Sequence, residues 1–79
     1  MLIQVLGPGC AKCKEAEKIV RDAVAECGIT ATVEKVTDFK EMMALGVMST
    51  PAVVIDKKIQ CVGRVPSKAE VKEWVSRLR

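Results

Sequence analysis

An unbroken apolar run, Ala-Val-Val-Ile at residues 52–55, follows directly after Pro51 and most constrains the fold. A strand with apolar residues at every position has both faces buried, so it must lie inside a sheet that is covered on both sides. Asp56-Lys57-Lys58 then forms a tight connection to a second strand, Ile59–Val62, which predicts an antiparallel hairpin. In that outer strand Cys61 is expected to face the same side as Ile59, because side chains alternate along a strand.

The first half of the chain predicts a strand, a helix and a second strand. Leu2–Leu6 is apolar apart from Gln4, and the turn sequence Gly7-Pro8-Gly9 follows it. A helical period begins at Cys10 and ends before Gly28, a residue typical of helix C-termini. Its apolar side consists of Cys13, Ala16, Ile19, Val20, Ala23, Val24 and Cys27. Ala31–Val36 alternates between apolar and polar residues, as expected for an edge strand.

Two capping boxes predict the remaining helices. Asp38 with Glu41 introduces a short helix, Phe39–Leu45, which Gly46 ends. Ser67 with Glu70 introduces the last helix, whose apolar face is Val71, Trp74, Val75 and Leu78.

The resulting order, β-α-β-α-β-β-α, predicts an α/β fold with a four-stranded mixed sheet. Helices must cover both faces of that sheet, because its central strand is apolar on both sides. The first two strands, joined by a helix, should be parallel with a right-handed crossover. At 79 residues the chain is expected to form a single domain, residues 1–79, with one thin core.

Composition narrows the functional classes. A net charge of +3 is too weak to indicate nucleic-acid binding, and one Phe, one Trp and no Tyr offer little surface for base stacking. The absence of His excludes acid–base chemistry by His and metal sites with His ligands. The apolar start is too short for a signal peptide, and no stretch has the length of a membrane span. We therefore expect a cytoplasmic protein, monomeric, with neither nucleic-acid nor membrane partners.

Cys10-Ala11-Lys12-Cys13 carries the chemistry that the sequence predicts. Cys10 stands at the junction of a turn and a helix, where unpaired backbone N–H groups and the helix dipole stabilise an anion. The pKa of Cys10 should therefore lie below the free value of about 8.5, and Lys12 adds a positive charge in the same turn. Cys13 belongs to the apolar face, so the pair combines an exposed nucleophile with a shielded partner within disulfide range.

Three other interpretations of this pair remain open. Zinc would need Cys27, Cys61 or carboxylates as further ligands, and Cys27 lies roughly 21 Å from Cys13 along one helix. A Cu(I) carrier could use the two thiolates, although the copper chaperones with this motif end on a strand rather than a capped helix. An adaptor that uses the fold only for protein contact would have no need of a reactive thiol pair.

A second segment, residues 46–56 with Thr50-Pro51 at its centre, resembles the thioredoxin and glutaredoxin superfamily. The start of the chain up to Cys10, the Cys10–Cys13 pair, Ser49-Thr50-Pro51 and residues 62–67 together resemble very short thioredoxin-like proteins of archaea and bacteria. That family is often labelled redox-active disulfide protein 2. The resemblance implies a cis Pro51 beside the cysteines, and a cis X–Pro bond is uncommon in folded proteins.

The resemblance implies thiol–disulfide exchange without a cofactor. Cys10 would attack a substrate disulfide and Cys13 would resolve the mixed disulfide. Thr50 and Pro51 would lie against the cysteines and present backbone to the substrate, with Gly63 providing clearance. Protein disulfides are the expected substrates, and a flavoprotein of the thioredoxin-reductase type is the expected electron donor.

The sequence also departs from those families. Gln4 replaces the buried Asp of ordinary thioredoxins, so water or a charged group such as Lys12 must handle the proton of the resolving thiol. Residues 62–64, Val-Gly-Arg, replace the Gly-Gly turn and acidic pair with which glutaredoxins hold glutathione, so we do not expect glutathione to bind.

The remaining candidate residues are expected to be structural. Cys27 and Cys61 should be small core thiols, and the methionines and Trp74 should fill the core. The methionines concerned are Met42, Met43 and Met48. The basic face of the last helix, formed by Lys68, Lys72, Arg77 and Arg79, should simply be solvated.

Overall fold

The computed structural model describes residues 1–7 and 11–78 and confirms the expected α/β architecture. Within these residues the chain forms β1 (Leu2–Leu6), α1 (Ala11–Cys27), β2 (Thr32–Val36), α2 (Phe39–Ala44), β3 (Ala52–Ile55), β4 (Lys58–Val62) and α3 (Lys68–Leu78). None of these helices has the length and hydrophobicity of a membrane span.

The four strands form one mixed sheet in the order β2-β1-β3-β4. β1 runs parallel to β2 and antiparallel to β3, and β3 is antiparallel to β4. β3 is thus an interior strand, and all four of its residues are buried, as its sequence predicts. β2 is an edge strand, which agrees with its alternating pattern.

Helices cover both faces of the sheet, and each face has its own apolar cluster. On one side, α1 and α3 pack over Ile3, Val5, Val53 and Ile55. On the other side, α2 and the chain after it cover Leu6, Ala52 and Val54. Alternate residues of the interior strands therefore serve two cores, which is why these strands have few polar residues.

The hairpin between β3 and β4 turns through Asp56 and Lys57, which both have positive φ, 48° and 68°. Two successive residues with positive φ match the twist of a two-residue hairpin turn. The side chain of Asp56 also accepts a hydrogen bond from the backbone N–H of Leu2, 2.8 Å away, which ties the turn to the start of β1.

A β-bulge in β4 makes one sequence prediction wrong. Ile59 pairs with Val54, whereas Cys61 pairs with Val53, so Gln60 is an extra residue in β4. The extra residue reverses the alternation, and Cys61 lies in the α1/α3 cluster with 6% of its surface exposed. Ile59 lies on the α2 side and is 42% exposed, so the two side chains do not share a face.

The capping residues perform as the sequence predicts, with one difference in detail. Ser67 Oγ accepts from the Glu70 N–H at 3.2 Å, and Glu70 Oε1 accepts from the Ser67 N–H at 3.1 Å, a complete capping box. Asp38 also caps α2, but its carboxylate accepts from the N–H of Lys40 at 2.9 Å, whereas a capping box predicts the N–H of Glu41 as the donor.

The basic face of α3 forms ion pairs, whereas the sequence predicts that this face is simply solvated. Lys68 Nζ lies 2.5 Å and Lys72 Nζ lies 2.6 Å from the carboxylate oxygens of Glu26 near the end of α1. Arg77 donates to the side chain of Gln60 at 3.2 Å, while Arg79 lies outside the described residues. One carboxylate on α1 thus links the two helices that cover the same face of the sheet.

We expect this link to make stability depend on acid pH. Hydrogen bonds from Lys68, and then from Lys72, lower the pKa of Glu26 from an ordinary 4.5 to about 2. Because the folded-state pKa is depressed, the stabilisation is complete above the unfolded value of 4.5 and is lost as pH falls toward 2. Glu26→Gln should therefore unfold more easily than the parent chain at neutral pH, and this difference should shrink between pH 4.5 and 2.

Urea unfolding at a series of pH values would measure that difference, with Glu15→Gln as the control, an exposed glutamate on the same helix. A Glu26→Gln effect that stays constant across the acid range would contradict the assignment.

Candidate functional site

Cys13 lies in the first turn of α1, which begins at Ala11, and only 1% of its surface is exposed. It shares the buried side of the helix with Ala16 and Val20, as the apolar period predicts. Lys12 and Lys14 flank it on the exposed side, and the first turn contains no acidic residue. Cys13 is therefore a buried residue at the positive end of a long helix, and its two neighbours in the chain are exposed cations.

Cys10, the other predicted cysteine of the pair, lies outside the described residues, together with Pro8 and Gly9. Of the two cysteines, the structure therefore describes the surroundings of Cys13 only.

Three separate parts of the fold meet at Cys13. Gly7 directly follows β1, and a Cβ atom added to it would overlap the Sγ of Cys13 and lie 2.9 Å from its Cβ. The same position is 3.7 Å from the Cβ of Thr50, in the segment that leads into β3. The end of β1, the first turn of α1 and the segment before β3 are thus all within one side-chain length of the sulfur.

The peptide bond between Thr50 and Pro51 is cis, in agreement with the resemblance. Pro51 is buried, Thr50 is half-buried and Ser49 is exposed, so the chain passes from the surface into the sheet over these residues. Thr50 thus lies near the buried cysteine, and Pro51 follows it in the chain.

Gly63 supports this segment from the end of β4. Its N–H donates to the carbonyl of Pro51 at 2.9 Å, and a Cβ added to it would lie 3.4 Å from the Cβ of Ser49. Its φ of +78° is a conformation that other residues adopt only with strain. Position 63 therefore requires a glycine for two reasons: Ser49 lies close to it, and its backbone is in the left-handed region.

An apolar cavity beside Thr50 is a feature that the sequence analysis missed. It has a volume of about 210 Å³ and is lined by Thr37, Phe39, Met42, Val47, Met48 and Thr50. Phe39 is 71% and Met48 is 85% exposed, so the rim of the cavity is unusually apolar for a protein surface. The signal was available in the sequence: a short helix has only one face to bury, so an aromatic residue at its start can remain outside.

The prediction that the methionines fill the core is right only for Met42. Met43 is 56% exposed on α2, and Met48 lies in the segment before Pro51. α2 contains only six residues, too few to bury both faces, and Met48 lies beyond its end.

The described residues contain no buried charged side chain. Gln4, at the position where the sequence analysis noted a missing Asp, is half-buried, and its amide donates to the Glu34 carboxylate at 3.3 Å. Among the described residues, no carboxylate is therefore buried near the sulfur.

The two other cysteines stand apart from this site. Cys27 is half-buried at the end of α1, the same continuous helix as Cys13, and 14 residues of helix span roughly 21 Å. Burial raises the pKa of Cys61, whose thiol donates to the carbonyl of Arg64 at 3.8 Å. Residues 1–7 and 11–78 contain no group of three side chains that could hold a metal ion.

Comparison with known proteins agrees with this geometry. The thioredoxin domain family matches residues 1–76. A thioredoxin of Methanothermobacter thermautotrophicus is 40% identical over 76 residues, which cover 96% of this chain and 99% of that protein. A thioredoxin of Methanocaldococcus jannaschii is 42% identical over 73 residues, 92% of this chain and 84% of that protein. A probable thioredoxin of Archaeoglobus fulgidus is 32% identical over 75 residues.

These matches extend over nearly the whole chain, as does the agreement in fold. The chain belongs to the thioredoxin family and is a thiol–disulfide oxidoreductase.

Proposed function

We propose that Cys10 and Cys13 form the redox pair of this oxidoreductase, that Cys10 is the attacking cysteine, and that protein disulfides are its substrates. The observation that carries the proposal is the position of Cys13. Its sulfur is buried in the first turn of α1, next to Thr50 and the cis peptide bond before Pro51. A sulfur in this place is shielded from solvent thiols but can reach a partner at the start of the same helix.

The reaction proceeds in two exchanges. The Cys10 thiolate attacks one sulfur of the substrate disulfide, the substrate S–S bond breaks, and one substrate thiolate leaves and takes up a proton. The Cys13 thiol then gives up its proton and attacks the Cys10 sulfur of the mixed disulfide. The second substrate thiolate leaves and is protonated. The substrate has gained two electrons and two protons, and the pair has become the Cys10–Cys13 disulfide.

The start of α1 supports the assignment of Cys10 as the nucleophile. Cys10 precedes Ala11, the first residue of α1, in the sequence, and this 17-residue helix has no acidic side chain in its first turn. The unpaired N–H groups and the dipole of a helix favour an anion at its N-terminus, and exposed Lys12 adds to that effect. A thiolate is the species that attacks a disulfide, so this environment raises the reactive fraction.

The segment around Pro51 supports a substrate in extended conformation. The carbonyl of Pro51 is occupied by the N–H of Gly63, whereas Thr50 lies half-buried between the cysteine and the apolar cavity. The backbone of Thr50 would pair with the substrate, and Gly63 would leave room for it. The exposed side chains of Phe39 and Met48 suit an apolar residue of a polypeptide substrate.

Other features favour protein substrates over glutathione. Arg64 follows Gly63 and could attract the carboxylates of glutathione, but both of its terminal nitrogens bind Glu70, at 2.8 and 2.7 Å.

We propose that a flavoprotein reductase returns electrons to the pair, that the protein acts as a monomer, and that it works in the cytoplasm. A reducing compartment provides such a donor and keeps the dithiol form populated.

Cysteine variants test the assignment. Cys10→Ser should lower the reduction of a protein disulfide such as that of insulin to the rate of dithiol reagent alone, because no thiolate remains to attack. Cys13→Ser should accumulate a covalent complex with the substrate, detectable as a mass increase that dithiothreitol removes. Cys27→Ala is the matched control and should leave the rate unchanged. Full activity of Cys10→Ser would refute the proposed mechanism.

The pH dependence of alkylation tests the environment of Cys10. In the reduced protein, the rate of iodoacetamide reaction at Cys10 should rise with pH about a midpoint below the free value of about 8.5, because the helix start stabilises the thiolate. Lys12→Gln should raise that midpoint, since a cation is lost from the first turn. Lys18→Gln, which removes an exposed lysine from the next turns of the same helix, should not. An alkylation midpoint at or above 8.5 in the parent chain would contradict the role assigned to the helix.

Gly63→Ala tests the support of the Pro51 segment. The positive φ alone should cost about 1–2 kcal/mol of stability, and the new Cβ would also press on Ser49. We expect kcat/KM for protein-disulfide reduction to fall. Gly28→Ala, at φ +65° with no neighbour within 4 Å of the new Cβ, should lose similar stability but keep its kcat/KM. Equal loss of kcat/KM in both variants would show that Gly63 has no role beyond folding.

A further inference from the structure

Gly7 is the residue whose missing side chain makes room for the sulfur of Cys13. The glycines with positive φ are Gly28, Gly46 and Gly63 among the described residues, so the backbone torsion at Gly7 does not require glycine. The surroundings of Gly7 do require glycine, because an added Cβ would overlap Cys13 Sγ and lie 2.9 Å from Cys13 Cβ. Real Cβ atoms essentially never come closer than 3.0 Å to another heavy atom, so one of the two residues would have to move.

Neither backbone can easily move apart to relieve such an overlap. Gly7 is buried, its N–H donates to the carbonyl of Val36 at 2.9 Å, and it directly continues the ladder between β1 and β2. On the other side, Ala16 and Val20 hold α1 against the sheet with no exposed surface. A shift of about 0.1 Å relieves the 2.9 Å contact between the two Cβ atoms, but the overlap with the sulfur is far larger, and only rotation of the Cys13 side chain about its Cα–Cβ bond relieves it inexpensively.

We propose that Gly7 is a positioning residue for the redox pair: the space it leaves stabilises the Cys10–Cys13 disulfide relative to the dithiol and thereby sets the reduction potential. This inference rests on the proposed function, because it takes Cys10 and Cys13 as the pair. Gly7 itself takes no part in the exchange of bonds.

The two oxidation states respond differently to a side chain at residue 7. In the dithiol state Cys13 can rotate its sulfur away from the new methyl group into another rotamer. In the disulfide state the sulfur is held by its bond to the Cys10 sulfur, and rotation would break the disulfide geometry. The methyl group therefore destabilises the oxidised form more than the reduced form, and Gly7→Ala should make the pair more oxidising.

Equilibration with glutathione measures this effect. Two glutathione thiols reduce the Cys10–Cys13 disulfide, give up two electrons and two protons, and become glutathione disulfide. Alkylation followed by mass spectrometry gives the fraction oxidised at each glutathione ratio. We expect Gly7→Ala to shift the equilibrium constant toward the dithiol by at least about tenfold, which corresponds to about 30 mV. Gly28→Ala is the matched control, since it strains the backbone but contacts nothing, and it should keep the parent potential.

A second measurement needs no redox chemistry. Urea unfolding of the reduced proteins compares Gly7→Ala in the parent chain and in the Cys13→Ala background. Cys13→Ala removes the sulfur and leaves only the 2.9 Å approach of the two Cβ atoms, which a small shift relieves. We expect the substitution at Gly7 to raise the unfolding equilibrium constant several-fold more in the parent chain than in that background, because the reduced parent must rotate the Cys13 sulfur into a less favourable rotamer.

The outcomes separate this inference from the function on which it rests. If the parent chain forms no Cys10–Cys13 disulfide at any glutathione ratio, the proposed function fails. If the parent disulfide titrates but Gly7→Ala has the same potential, the inference about Gly7 fails alone. If Gly7→Ala unfolds the chain in both backgrounds, the glycine serves the fold rather than the sulfur. Unfolding of the reduced parent chain alone, with a folded protein in the Cys13→Ala background, would show that rotation of Cys13 does not relieve the overlap in the dithiol, and would overturn the inference.

Discussion

Burial of β3 on both faces is the constraint on which the rest of the structure depends. Its four residues pair with β1 on one side and β4 on the other, and they supply alternate side chains to both apolar clusters. A domain of this size cannot build a thick core, so one strand that serves two cores makes efficient use of few apolar residues. The same strand directly follows Pro51, so the element that organises the packing also fixes the segment beside Cys13.

The sequence was sufficient for the elements whose signals are local. Hydrophobic period, helix-capping residues and turn residues act within a few positions, and they located α1, the capping box of α3 and the hairpin at Asp56 and Lys57. It was insufficient where a contact between distant residues decides the outcome. The extra residue Gln60 in β4 has no signature of its own, because only pairing with β3 makes it a bulge. The approach of Lys68 and Lys72 to Glu26 likewise depends on how α1 and α3 pack.

The same distinction applies to the site. Cys13 and Pro51 could be identified from the motif and the resemblance, and the burial of Cys13 followed from its place in the helical period. The role of Gly7 could not, because the Gly7-Pro8-Gly9 sequence is a sufficient reason for a glycine as a turn residue. Only the three-dimensional approach of β1 to the first turn of α1 shows why position 7 requires a glycine. The reason is the lack of room for a side chain beside Cys13, not the backbone torsion angles. The apolar rim formed by Phe39 and Met48 was missed because apolar residues were assigned to the core by default.

The bulge in β4 also affects the selectivity of the thiol chemistry. By turning Cys61 into the α1/α3 cluster, it places that thiol where burial raises its pKa, so little thiolate is present at neutral pH. Had the strand kept its regular alternation, the thiol would lie on the half-covered side next to Ile59, within reach of oxidants and of foreign disulfides. The extra residue Gln60 thus shields the Cys61 thiol from thiol–disulfide exchange. The fold thus keeps the Cys61 thiol away from solvent in a domain that carries four cysteines.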